Sequence, residues 1–529
     1  MSVTIQHSVT ELDGLIRQHL GRPIPEAGQL ICTETIRLYA DELKASLGIK
    51  GPVFLAGHQP IFYHPGILAK DYLVQALVRR HGGTAVSLIL DTDQKAIDFA
   101  WPGTGRHSIM LSDVSRIVAG QRLNSNRKVQ LLRSIDQALI DLSATFTPVA
   151  AQRARPYLFH LHRAANQTDD IVTITNSVRE FHASRNGWKI TFLKASDLIK
   201  TRAFRFFASE VCRRPDEFRN VFNFALAEYR RKHDIKNHAQ PFPDLKESEL
   251  PFWYSLHGNR RPLVDSDIGE AGLFDTGRDA PAFTALFEQG HVLPRAITLS
   301  LFIRLFVCDL FVHGTGGGRY DRITEKVIER FFNCHAAPIT VATATLRLEA
   351  RADFALQSRS RKALHEEERR LLFDPVRFLP DECALHAERE VLIHMRRHLS
   401  GPDGHLLYES PMPDMQRVRP AFAAHMQRLA LQLKNPVMNP PALLHREFVA
   451  LRRRAAPYLK RQRKLLELEV EREKRCADNL RLFTDRTLPF FFYDLTEIEE
   501  AVRPYGYSAL KFTEMHAIRE AHNASLRHS

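Results

Sequence analysis

An α/β fold built on a parallel sheet is what this sequence predicts, and three observations carry the prediction. Residues 52–56 and 86–90 are short apolar runs of strand type, the first closed by Gly57. Between them, residues 67–80 hold no helix breaker and are mostly apolar, the mark of a buried helix. Strand, helix, strand over this length is a βαβ unit, which requires parallel strands covered on both faces. In such sheets ligands sit outside the carboxyl ends of the strands. Those ends carry His58, Gln59 and His64 after the first strand, and Asp91 and Asp93 after the second.

Taken in order, residues 1–50 read as helical, with Leu12, Leu15, Ile16 and Leu20 on one face and Ile36, Tyr39, Leu43 and Leu47 on another. His58-Gln59-Pro60 opens a loop that His64-Pro65-Gly66 closes. Pro65 suits a helix entrance, where a missing N–H costs little, and Gly66 lets backbone approach a ligand. His81-Gly82-Gly83 stops that helix. Residues 101–107 (WPGTGRH) read as a turn-rich loop and roughly 119–165 as helical. A further strand is expected over 188–194, with Ser196 or Asp197 capping the helix after it. Residues 204–231 read as a basic helix. Short strands at 253–256 and 261–265 flank His257-Gly258-Asn259, a hairpin signal. Arg260 and Arg261, just past that turn, read as solvated charge. An apolar helix opens at 293–295 and runs to about Leu310.

The second informative stretch is 311–332. His313 is followed by Gly314, Thr315, Gly316, Gly317 and Gly318, then by a helix with Ile323, Val327, Ile328, Phe331 and Phe332 on one face. Four glycines in five positions are costly in chain entropy, so the chain there needs positive φ or close backbone approach. The N–H groups of a helix start suit a phosphate. The motif lacks the GK[ST] of a P-loop and the spacing of a dinucleotide fingerprint. Asp321 reads as a helix N-cap or a ligand-binding residue.

From Arg347 the chain turns amphipathic and charge-rich, and residues 443–481 read as a long helix kinked or divided by Pro457. Leu444, Leu451, Tyr458 and Leu465 keep a seven-residue spacing, which predicts coiled-coil-like packing and a homodimer through this segment. Residues 488–493 (LPFFFY) are expected to return to the core. The predicted division is therefore 1–346 for the α/β core with its hairpin, 347–482 for the helical insertion, and 483–529 for the returning segment.

A net charge of +13 attracts nucleic acid, acidic lipid or anionic substrates, but the arginines alternate with glutamates along helices, which favours solvated faces over a nucleic-acid surface. The most apolar stretch, 296–312, is interrupted by Arg304 and Asp309, which speaks against a membrane span. The N-terminus lacks a basic start and apolar block, so no signal peptide is expected. Six scattered cysteines without a CxxC pair fit a reducing compartment, the cytoplasm by default, and give no case for thiol catalysis or structural zinc.

The chemistry these residues suit is ligation or adenylyl-type transfer on a small-molecule substrate. It needs donors on phosphates, positioning and charge stabilisation more than a strong nucleophile. His58, His64, Asp91 and Asp93 are the catalytic candidates. The histidines could donate to phosphate oxygens, and the aspartates could hold an amine or a metal-bound nucleotide. Gln59, Gly66, Lys70, His313, Gly314, Gly316, Gly317, Gly318 and Asp321 are the candidates for substrate or nucleotide binding. No protein-bound metal is expected.

The order of GHQP (57–60), DTDQ (91–94) and HGTGGG (313–318), with a helical insertion at about 350–482, resembles the bacillithiol-biosynthesis cysteine-adding enzyme family. Members carry GQQP-type, EDHD-type and GPGE-type motifs in these places. Here His58 stands for a glutamine, and the glycine stretch lacks the acidic residue. The resemblance implies a Rossmann-like core related to HxGH nucleotidyltransferases, with an inserted coiled coil. It also implies amide-bond formation between an amino acid such as cysteine and an amino sugar, with ATP or ADP as the candidate cofactor. The competing readings are an HxGH-type nucleotidyltransferase and a non-enzymatic basic scaffold for nucleic acid or protein.

Overall fold

The computed structural model describes residues 2–21, 31–103, 105–269, 281–350, 361–380, 383–398, 419–432, 440–482 and 485–506. Among these, eleven strands form three sheets. In chain order they are β1 (Ser2–Ile5), β2 (Val53–His58), β3 (Thr84–Ile89), β4 (Asp98–Pro102), β5 (Arg106–Met110), β6 (Ile190–Lys194), β7 (Glu249–Leu256), β8 (Asn259–Val264), β9 (Val292–Pro294), β10 (Leu310–His313) and β11 (Ile339–Thr345). The central sheet runs β1-β11-β10-β2-β3-β6. Every neighbouring pair from β11 to β6 is parallel, and β1 joins the β11 edge antiparallel, with Ser2 opposite Thr345.

The chain leaves β2 toward β3 and β6 on one side, then returns to lay β10 and β11 on the other. The strand order thus reverses between β2 and β10, the switch point of a doubly wound, Rossmann-like sheet. Helix Pro65–His81 packs along β2, β3 and β11 on one face. On the opposite face Val53, Leu55, Val86 and Leu88 share a core with Ile323 and Val327 of helix Thr315–Val327. Buried rings, among them Phe204, Phe207, Phe252, Phe302 and Phe306, fill much of that core. Each contributes roughly 1.5–3 kcal/mol by leaving water.

Two side sheets flank the core. In the β7–β8 hairpin His257 and Gly258 both have positive φ, 52° and 82°, as a two-residue turn matched to strand twist requires. Strand β9 pairs with β7. Residues 101–102 and 106–107, expected as loop, instead pair as the ends of the antiparallel strands β4 and β5. Residues 2–5, expected as helix, form the edge strand β1.

The chain divides into two compact units, Met1–Arg351 with Arg481–Ser529, and Ala352–Leu480. In the first, Phe490, Phe491 and Phe492 are buried, with Phe491 stacked on Tyr157 and Phe492 on Phe146. In the second, helices Pro440–Ala455 and Lys460–Leu482 are separated by a 3-10 turn, Ala456–Leu459, at Pro457. The seven-residue stripe does not survive this break. Leu444 and Leu451 are buried, but Tyr458 and Leu465 are 71% and 57% exposed, and Leu459 and Leu466 are buried in their place. The turn advances the buried face by one residue, so the heptad ends at Pro457. No helix among the described residues is long and apolar enough to cross a membrane.

Candidate functional site

A cavity of about 500 Å³ opens at the switch point, where the carboxyl ends of β2 and β10 meet. Its walls include Gly57, His58 and Gln59 from the end of β2, and Gly66 and Lys70 from helix Pro65–His81. His313 from β10, residues 314–317, Ser300, Thr343 and Arg486 add to the polar lining. Among the described residues that line it there is no carboxylate.

Lys70 is 3% exposed, and its Nζ donates to the Gly57 carbonyl at 2.6 Å. Burial pulls it down to about 8, against the opposing pull of Asp71, so it is mostly charged at neutral pH. His58 is drawn down to about 3, first by burial and then by Lys70, and is therefore neutral, with its Nδ1 3.3 Å from the Gln59 carbonyl, the partner of its one N–H. Its ring meets Tyr63 edge-on at 5.6 Å.

His64 is the N-cap of helix Pro65–His81. Its Nδ1 accepts the Gly66 N–H at 2.9 Å, while the Arg486 Nε–H approaches Nε2 at 2.9 Å. Burial, then Arg486, pulls this imidazole down to about 4. A neutral imidazole has one acceptor nitrogen, so the two approaches compete, and an anion is the better partner for Arg486. Gly66 leaves no room for a side chain, because a Cβ would strike the Ala344 carbonyl and the His64 ring.

The glycine stretch is the first turn of helix Thr315–Val327 rather than a loop before it, with Gly314 as N-cap. None of its glycines has positive φ. Close approach is what they serve: a Cβ on Gly317 would lie 2.7 Å from His313 Nδ1, and one on Gly318 would strike Val341. Gly316 has nothing within 4 Å. No side chain caps this helix, so its first N–H groups are left for a ligand or water.

Asp321 is neither the N-cap nor part of the cavity wall. It is 3% exposed and pairs with Arg304 at 2.6 Å, and its other neighbour is His313 Nε2 at 3.5 Å.

Asp91 also turns away from the cavity. It is 1% exposed and accepts the Ser196 N–H at 2.9 Å and the Ser196 hydroxyl, which ties the end of β3 to the helical turn after β6. Ser196, expected as a helix cap, is instead a donor to this carboxylate. Burial raises Asp91, and the Ser196 bonds oppose the rise. The expected hold on a substrate amine therefore falls to another group. Asp91→Asn should cost about 1–3 kcal/mol through a mismatched buried acceptor, read as a lower urea midpoint with phosphate-ligand affinity unchanged.

Asp93 does face solvent-accessible space. It pairs with Arg260 at 2.9 Å and accepts from Gln59 Nε2 at 3.3 Å. These three residues line a second cavity of about 250 Å³, which shares Gln59, Leu90, Ala296 and Leu299 with the first. Arg260, expected as solvated charge, sits 4.9 Å from the Trp253 ring centre. Arg261 does remain at the surface, paired with Asp267 at 2.7 Å. Sequence reasoning passed over Arg486, Arg295 and Trp253. Arg486 lies 422 positions from His64, and no local pattern marks it. Among the described residues no group of three His, Cys, Asp or Glu side chains is placed to hold a metal ion.

No family model matches this chain, and no curated protein matches it. Among solved structures, the tyrosyl-tRNA synthetase from Archaeoglobus fulgidus complexed with L-tyrosine is similar at 13% identity, over 89% of this chain and 100% of that one. The TM-score is 0.22, too loose an overlap to bear on fold or chemistry.

Proposed function

We propose that this protein is a group-transfer enzyme of the ligase class whose larger cavity holds the phosphates of a nucleotide or other phosphorylated substrate. One observation carries the reading. The cavity at the switch point gathers a buried lysine, an arginine and an uncapped helix start, and no carboxylate among the described residues lines it. Such a field selects an anion, and fixed N–H donors stabilise transferred phosphate charge with little reorganisation. Neutral His58 can turn its one N–H from the Gln59 carbonyl to the ligand without repelling a proton-bearing substrate. The resemblance to the cysteine-adding family adds the direction of the chemistry, an amide bond formed between an amino acid and an amine-bearing acceptor.

Calorimetry with ADP and ATP tests this. Gly317→Val should abolish binding, since the added side chain meets His313 and fills the helix start. His58→Ala should weaken binding by roughly 5- to 10-fold, the worth of one hydrogen bond. Unchanged affinity in both variants, with the fold intact, would leave the basic-scaffold reading in its place.

A further inference from the structure

The second cavity has a different chemistry from the first. Its body is apolar, formed by Phe222, Phe242, Leu245 and Ile297, and its rim carries the Asp93–Arg260 pair. We infer that it binds a zwitterionic α-amino acid with a bulky apolar side chain, the carboxylate on Arg260 and the ammonium on Asp93.

Size favours an amino acid over a larger ligand. About 250 Å³ lies below the roughly 300 Å³ at which pockets for drug-sized molecules begin. Charge favours a zwitterion over a simple anion. Asp93 and Arg260 are 2.9 Å apart with side chains 38% and 21% exposed, so both remain within reach of an incoming head group. A head group with one charge of each sign can replace that single ion pair with two. The guanidinium of Arg260 is backed by Trp253, which fixes its position. Arg295, 4.4 Å from the same ring centre, is committed to Glu249 at 3.0 Å and to the Phe252 carbonyl, and serves as a wall. Side-chain size then decides against cysteine. Its short side chain leaves the apolar walls unfilled, and each missing methylene in such a pocket is worth roughly 10- to 200-fold.

Gln59 borders both cavities, so the head group would sit beside the phosphate end of the larger one. That placement rests on the group-transfer reading above, whereas binding of the amino acid does not.

The test is calorimetry on the full chain with L-leucine, L-phenylalanine, L-cysteine, L-phenylalaninol and 3-phenylpropanoate, each without nucleotide. Leucine or phenylalanine should bind at least ~10-fold more tightly than cysteine. Phenylalaninol, lacking the carboxylate, and 3-phenylpropanoate, lacking the amine, should both bind more weakly than phenylalanine. Arg260→Met should remove the difference between phenylalanine and phenylalaninol, and Asp93→Asn the difference between phenylalanine and 3-phenylpropanoate. Urea midpoints of the same variants serve as the folding control. Equal affinity for phenylalanine and phenylalaninol in the unaltered protein, a preference for cysteine, or no binding by any of the five would overturn the inference. Failure of ADP to bind the unaltered protein, with amino-acid binding as expected, would instead count against the phosphate reading alone.

Discussion

Asp71→Asn is expected to destabilise the α/β unit by about 3–5 kcal/mol, the usual result of breaking one side of a buried ion pair. Asp71 and Arg179 are 2.7 Å apart, and each side chain is only 4% exposed. Arg179 also donates to Ser87 Oγ on β3 and to Asn176 at 3.1 Å, and it lies 3.9 Å from the Tyr63 ring centre. The pair therefore ties helix Pro65–His81 to β3 directly behind the site. An asparagine leaves the guanidinium in a dry interior, and arginine cannot shed its proton to escape the cost. Replacing both partners removes the problem: Asp71→Leu with Arg179→Met should be close to the unaltered protein, or more stable by about 1–4 kcal/mol. Urea unfolding of the two singles and the double gives the coupling directly. A single variant within ~1 kcal/mol of the parent would mean that water reaches the pair.

The parts of this fold that were legible in the sequence are those in which local pattern and tertiary role agree. The first βαβ unit was readable because a continuous apolar run, a proline at the helix entrance and paired glycines at its end all point one way. The edge strand β1 was not, because four residues with only partial burial carry no alternation strong enough to compete with the helical pattern after them. In β4–β5 the turn glycines were visible, but β5 alternates exposed and half-buried positions and looks like loop. The glycine stretch signals positive φ or close approach without saying which, and it reads as a loop where the structure has a first helical turn. Glycine is tolerated in a first helical turn when the neighbours leave no space for Cβ, and those neighbours, His313 and Val341, are fixed only by the fold. Asp91 and Asp93 looked equivalent two residues apart. Their side chains diverge, one into Ser196 and the other toward Arg260, and that difference depends on residues more than a hundred positions away.

Lys70→Met is expected to weaken phosphate-ligand binding by roughly 10- to 150-fold, the worth of a hydrogen bond to a charged group, while making the protein more stable. Lys70 falls from 10.5 to about 8 in the folded protein, mainly through burial. Its charged form is therefore disfavoured by folding. That cost is fully present below about pH 8, where the amine is protonated in both states, and it disappears as pH rises through 10.5. A gap of this size is on the order of 3 kcal/mol at neutral pH. Methionine matches the length of the lysine stem and brings no charge, but it strands the Gly57 carbonyl at a cost of about 1 kcal/mol. The net gain should be about 1–2 kcal/mol at neutral pH, shrinking in alkaline buffer. The pH dependence of binding follows from the same group. Above neutrality, ADP affinity in the unaltered protein should fall as pH passes about 8 and Lys70 loses its charge. Lys70→Met should show no such fall, because His58 and His64, at about 3 and about 4, are neutral throughout that range. A methionine variant that is less stable yet binds ADP as before would make Lys70 a structural tether for the end of β2. Gained stability with lost binding is the signature of a charge held at an energetic cost for the sake of a ligand.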